Sequence, residues 1–94
     1  MHDFMTEDQA GRALAELNRA VRLAGSWQAL ADALALETGT PLTAAGAHKW
    51  SITGVPPRRA VELENLFNGA VLRQELRPDL YDGLRSHTRI VEGA

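Results

Sequence analysis

Helix-start signals spread along this 94-residue chain constrain its fold more than any other feature. Thr6 and Gln9 have the spacing of a capping box, in which each side chain satisfies a backbone amide of the other. Ser26 and Thr43 each precede a run of helix-favouring residues, and Pro57 suits the first turn of a helix. The pattern predicts an all-α, compact domain of four or five helices.

Apolar residues recur every three or four positions in the first two predicted helices. From Thr6 to near Ala24 they form one stripe, which predicts a core-facing helix with a solvated side rather than a coiled coil. A glycine then breaks this helix, and Ser26 is expected to cap a second one that continues through Leu34. The residues that follow allow an extension towards Gly39, so we expect a long second helix.

The second half of the chain is predicted to hold two further helices, residues 44–50 and 58–68. Gly46 costs the first of these roughly 1 kcal/mol relative to alanine, which we attribute to a close crossing with a neighbouring helix. Residues 71–76 fit either a short strand or a turn of helix. Proline sterics are expected to end regular structure at residues 77–79.

Composition limits the compartment and the partners. The chain has no cysteine, which excludes disulfides and thiolate sites and makes a reducing cytoplasm the simplest location. We expect neither export nor a membrane span, because the start lacks a secretory pattern and no stretch approaches eighteen apolar residues. The net charge of -2 lacks the overall basicity of a nonspecific nucleic-acid binder. Residues 40–77 carry five basic against three acidic side chains, so any DNA binding should be local to them.

Candidate motifs for catalysis or metal binding do not have the residue spacing that their chemistry needs. A phosphate loop needs four residues between its glycines, whereas six separate Gly39 from Gly46, and Lys49 does not follow the second glycine. The three histidines are too scattered to form a helical ligand pair, and the serines lack a nucleophile context. We therefore expect no enzyme, no cofactor and no metal.

Two short capped helices separated by a turn, Ser26 to Leu34 and Thr43 to Trp50, have the organisation of a helix-turn-helix. Several segments then resemble the YdaS-like antitoxins among the lambda-repressor-like and Cro-like phage regulators, over roughly residues 17–81. The segments are Ala24-Gly25-Ser26, Ala29-Leu30-Ala31, Ala33-Leu34, Lys49-Trp50, Val55-Pro56-Pro57-Arg58 and Glu75-Leu76-Arg77-Pro78-Asp79-Leu80-Tyr81.

This resemblance implies a lambda-repressor-like helix-turn-helix domain over residues 1–81, extended by the N-terminal helix, and a tail of residues 82–94 that either dimerises or is disordered. It implies a sequence-specific transcriptional regulator, repressor or antitoxin, that binds a near-palindromic operator in double-stranded DNA as a homodimer. The chain departs from the family in its additional residues 35–41, which enlarge the turn, and at Trp27 and Ala45, where the family tends to have glutamine.

The helix Thr43 to Trp50 is expected to enter the major groove, because its eight residues make a rod of roughly 12 Å, which is comparable with the groove width. Base discrimination should fall on His48, Lys49 and Thr43, while Ala45 can touch only a thymine methyl. Leu42, Gly46, Ala47 and Trp50 should face inward. The full set of expected DNA-binding residues is Ser26, Trp27, Gln28, Thr43, Ala44, Ala45, His48, Lys49, Ser51, Thr53, Arg58 and Arg59.

Several of these residues have a second interpretation. Trp27 fits a contact with a partner chain as well as a place beside DNA, and His48 could face solvent or the groove. Arg58 and Arg59 could be plain first-turn residues, although positive charge there opposes the helix dipole and favours a bound anion. Trp50 is predicted to be a core anchor, not a base-stacking group.

The competing hypothesis for function is a protein-interaction module that uses the same scaffold to bind a toxin or another regulator. The net negative charge, the alanines on the expected DNA-reading face and an expected exposure of Trp27 motivate it. If the chain dimerises, the candidate interface residues are Leu80, Tyr81, Leu84, Ile90 and Val91.

Overall fold

The computed structural model describes residues 5–81, and every regular element in this range is a helix. The expectations for the tail, including Leu84, Ile90 and Val91, lie outside the described residues. Of the helices in this range, none combines the length and the apolar character that a membrane crossing requires. The seven helices are α1 (Glu7–Ala24), α2 (Trp27–Thr38), α3 (Ala44–His48), α4 (Trp50–Thr53), α5 (Pro57–Leu66), α6 (Arg73–Leu76) and α7 (Pro78–Tyr81).

The predicted helix starts are confirmed by their hydrogen bonds. Thr6 Oγ1 accepts from the Gln9 backbone amide at 3.1 Å, and the Thr6 amide donates to Gln9 Oε1 at 3.0 Å, which completes the capping box. Ser26 caps α2 and Thr43 caps α3 in the same way, each accepting from the amide three residues later. Pro57 occupies the first turn of α5, where it needs no amide partner.

The second helix is long, as expected, and absorbs most of the additional residues after Leu34. It continues to Thr38, whose hydroxyl donates to the Leu34 carbonyl, and ends at Gly39 in a left-handed conformation with φ 74°. A turn of residues 39–43 then leads into α3. The additional residues therefore mainly lengthen α2. The turn itself is only slightly longer than the usual three or four residues.

The predicted single helix over residues 44–50 is wrong at its end, because the helix is interrupted at Lys49. The Ser51 hydroxyl donates to the His48 carbonyl at 2.7 Å, and the Ile52 amide donates to the Lys49 carbonyl, three residues before it. Side-chain bonding of this kind competes with the helical ladder. Lys49 keeps helical backbone angles, so α4 follows α3 after this one residue.

The C-terminal half differs from the prediction in two places. Residues 71–76 contain a turn of helix, α6, which resolves the alternative between strand and helix. The expected end of regular structure at residues 77–79 is wrong, since Pro78 begins α7. A proline is tolerated at the first helical position because the amide that it lacks would have no partner there.

The core lies where α1, α2, α3 and α5 meet, with α6 packed on α1. Trp50 is only 8% exposed and anchors α4 to this core, as predicted. The expected helix crossing at Gly46 is wrong: a Cβ there would lie 3.2 Å from Thr43 Oγ1 and 3.6 Å from Leu42 Cδ1, at the start of its own helix. The buried cluster is Leu17, Ala20, Leu30, Leu34, Ala47, Trp50, Val55, Ala60, Leu63, Val71 and Leu76.

Helix α6 takes its N-terminal caps from distant carboxylates. Its own N-cap residue, Leu72, has no side-chain acceptor, but the Leu72 amide donates to Glu16 of α1 at 2.8 Å. The next amide, of Arg73, donates to Glu64 of α5 at 2.8 Å, and the Arg73 guanidinium bonds both oxygens of that carboxylate. These bonds join α1, α5 and α6, and they replace a local cap by tertiary contacts.

A buried ion pair holds the start of α7. Arg77 is 8% exposed and donates to both carboxylate oxygens of Asp79 and to the Val55 carbonyl, the latter at 3.0 Å. Hydrogen bonding from Arg77 holds the pKa of the Asp79 carboxyl below its usual value of 3.8. The ionised carboxylate is therefore favoured in the folded state, and its pairing with Arg77 stabilises the fold.

We predict that Asp79→Asn lowers the free energy of unfolding at pH 7 by about 1–3 kcal/mol, because Arg77 loses its charged acceptor. Since the folded pKa is lowered, this contribution is present above the unfolded pKa and is lost as pH falls through the folded one. The measurement is urea denaturation of both proteins from pH 7 to pH 2.5.

The difference between the two proteins should shrink only below about pH 4. Asp32→Asn is the matched control, because Asp32 is exposed and its side chain, within residues 5–81, bonds only Gln28 on its own helix. A difference that stays constant down to pH 2.5, or an equal effect of the control, would contradict this role of Asp79.

Candidate functional site

Helix α3 presents one face to solvent and anchors the other in the core. Thr43, Ala45, His48 and Lys49 are exposed, whereas Ala47 is completely buried. Ala44 and Gly46 are half-buried at the sides. Residues 39–41 of the preceding turn are themselves exposed and leave this outer face open. We call Thr43, Ala45, His48 and Lys49 the α3 face.

The N-terminus of α2 lies beside α3. Ser26 and Gln28 are exposed, but the expected exposure of Trp27 is wrong, because its indole is half-buried against the core. Ser26 Oγ accepts from the Ala29 amide at 3.0 Å, so its own hydrogen can still be donated to a ligand. The Gln28 side-chain amide donates one hydrogen to Asp32 at 2.8 Å, which leaves its second hydrogen for a ligand.

An aromatic pair joins the two helices. The rings of Trp27 and His48 pack edge to face, with their centroids 5.0 Å apart and their planes at 79°. Both residues are candidates from the sequence, but no local pattern indicates that they touch, because the contact depends on how α3 crosses α2. The half-buried indole therefore supports an imidazole on the α3 face.

Ser51 and Thr53 are engaged within their own helical segment. The Ser51 hydroxyl donates to the His48 carbonyl at 2.7 Å and the Thr53 hydroxyl to the Lys49 carbonyl at 3.1 Å. Each hydroxyl has a single hydrogen, so neither can donate to a phosphate while these bonds persist. They shape the junction between α3 and α4.

Ion pairs remove most of the excess positive charge that the sequence places in residues 40–77. Arg59 bonds Glu62 at 3.0 Å with a side chain only 14% exposed, and Arg73 and Arg77 are held by the carboxylates described above. Arg58 is 90% exposed and only loosely paired, 3.9 Å from Glu62. Lys49 is exposed and forms no ion pair with any residue of the described range. These two cations remain available to a ligand.

Residues 5–81 offer little that could bind a small molecule or a metal ion. A shallow groove between α1 and α4 is lined by Leu14, Leu17, Trp50 and Val55, and Ser51 is its only polar side chain. No group of three potential metal ligands comes together between residues 5 and 81. The α3 face and the adjoining start of α2 therefore form the polar surface best suited to recognition.

The fold is that of a small helical domain of the helix-turn-helix type, with α2 and α3 as the central pair. The family of the bacterial toxin YdaS matches residues 17–84, and the chain belongs to this family. Membership confirms the resemblance found in the sequence and indicates a protein of the toxin–antitoxin or phage-regulator type. No curated protein and no solved structure shows significant similarity to the chain.

We predict that Thr43→Ala destabilises the start of α3 by about 1 kcal/mol, because the Gly46 amide loses its acceptor, Thr43 Oγ1. Hydrogen exchange of the Gly46 amide and urea denaturation measure the effect. Thr43→Ser keeps the oxygen and is the matched control, which should exchange like the wild type. Equal protection of Gly46 in Thr43→Ala and Thr43→Ser would contradict the capping role.

Proposed function

We propose that the chain is a sequence-specific DNA-binding transcriptional regulator that places α3 in the major groove. The observation that carries this proposal is the exposure of the α3 face on a helical segment, α3 and α4, whose other side is fixed by Ala47 of α3 and Trp50 of α4. A rigid helix with one free polar face is the element that helix-turn-helix proteins use to contact base edges. Membership of the YdaS family adds support.

The dimensions of α3 and α4 together suit this role. Counted along the two helices and Lys49 between them, residues 44–53 extend over about 15 Å, and the major groove is about 12 Å wide. His48, Lys49 and Thr43 offer hydrogen-bonding groups to base edges, whereas Ala44 and Ala45 can contact only a thymine methyl. Specificity would therefore depend on few side chains.

Phosphate contacts would surround this helix. The Ser26 hydroxyl and the first amides of α2 suit one phosphate, since helix N-termini attract anions. Lys49 and Arg58 would supply the positive charge, because the other arginines of residues 40–77 are engaged in the fold. The chain's net charge of -2 makes binding dependent on these local contacts.

A homodimer fits this mode of binding, because two copies of α3 would reach successive major grooves about 34 Å apart on a near-palindromic operator. Leu80 is 45% exposed and available for such an interface, whereas Tyr81 packs partly on the core of its own chain. Repression would follow from exclusion of polymerase, and binding would take place in the cytoplasm. In this proposal the protein has no catalytic role.

The test is fluorescence anisotropy with a duplex selected from random DNA, measured over a range of salt concentrations. The affinity of the wild type should fall steeply with salt as counterions are released from phosphates. Lys49→Ala and Arg58→Ala should each weaken binding and reduce the slope of log K against log salt by about one for each phosphate that the variant no longer neutralises.

Arg19→Gln is the charge-matched control for this experiment. Arg19 is exposed and donates to the Ala70 carbonyl at 3.0 Å, at the connection between α5 and α6 rather than on the α3 face. Its substitution should leave the salt slope unchanged. Affinity that does not depend on salt, or an equal change in slope for all three variants, would contradict the proposal.

A second candidate function is binding of a toxin or another regulatory protein. The exposure of large apolar side chains favours it, notably Leu36 at 87% and Ile52 at 59%. Native mass spectrometry of the protein purified from its host separates the two functions. One protein bound in fixed stoichiometry without DNA favours the second, and retained DNA favours the first.

A further inference from the structure

The contact between Trp27 and His48 indicates a role for Trp27 that does not require this residue to touch DNA. Trp27 is the first residue of α2 and is half-buried against the core, so its position is set by packing. His48 is the last residue of α3 and is exposed on the α3 face. Their rings lie edge to face at 5.0 Å, which is a favourable arrangement for two aromatic groups.

An exposed histidine usually samples several side-chain rotamers, and holding one of them for recognition costs entropy. Contact with a fixed indole reduces this freedom before any ligand arrives. A hydrogen bond to a base edge depends on direction, so a pre-oriented imidazole discriminates between bases better than a mobile one. Lys49, next in the chain, makes no such ring contact with residues 5–81 and would act on phosphate at a wider range of angles.

We propose that Trp27 is a positioning residue that orients His48 towards one base pair of the DNA site, so that the two rings form a single recognition unit. This inference rests on the proposed function, and it departs from the sequence-based expectation that Trp27 itself contacts DNA or a partner chain. The α2 N-terminus would thus contribute to sequence discrimination through α3, and not only to placement on the backbone.

The first measurement uses the full chain without DNA. Proton NMR should give nuclear Overhauser contacts between the ring protons of His48 and Trp27, assigned by comparison with His48→Gln. Trp27→Phe should keep ring contacts with His48, and Trp27→Leu should remove the ring-current shift of the His48 protons. Wild-type protein without contacts between the two rings would overturn the inference.

The second measurement compares affinities for the selected duplex and for all its single base-pair changes. His48→Ala should reduce discrimination at one base pair by about tenfold, within the range expected for a base contact. Trp27→Leu should reduce it at the same base pair, the double variant should lose no more than either single variant, and Trp27→Phe should retain it. Circular dichroism and thermal denaturation check that each variant is folded.

The outcomes distinguish this inference from the proposed function. If the wild type binds no duplex, both fail, whatever the NMR contacts are. If the wild type binds selectively but Trp27→Leu weakens all duplexes by one common factor, Trp27 is a phosphate contact or a packing residue, and only this inference fails. Additive losses in the double variant would overturn it in the same way.

Discussion

Burial of Ala47 and Trp50 against the core is the interaction on which the rest of the site depends. Ala47 is inaccessible and Trp50 almost so, while His48 and Lys49 between them are exposed. The two anchors determine how the α3–α4 segment is rotated, and this rotation brings His48 against Trp27 and leaves Lys49 in solvent. Because packed cores tolerate little change of volume, the face that α3 presents is fixed by its buried side.

The charged side chains of this domain mainly stabilise the fold, and few of them are available to a ligand. Carboxylates of α1 and α5 cap α6, and Arg77 links the start of α7 to the Val55 carbonyl. Such pairs engage arginines that, from the sequence alone, would be expected to be available for DNA binding. What remains on the proposed interface is a small set of polar groups around Lys49 and Arg58, a surface suited to local recognition and not to broad binding of polyanions.

The features that depend on local contacts could be predicted from the sequence, and those that depend on contacts between distant residues could not. The caps at Thr6, Ser26 and Thr43 were predictable because each satisfies an amide only three residues away. The caps of α6 were not, since Glu16 lies in another helix, and the Trp27–His48 contact depends on the crossing of α2 and α3. The exposed face of α3 was predicted from the apolar phase of Ala47 and Trp50, but the pairing of Arg59 was not.

The most direct test of the central claim is NMR chemical-shift mapping of the ¹⁵N-labelled protein titrated with its selected duplex. The account predicts that the largest changes fall on the amides of α3 and on the first residues of α2, with α6 and α7 little affected. Large changes confined to α6 and α7, with the amides of Ala45, His48 and Lys49 unmoved at saturation, would contradict it.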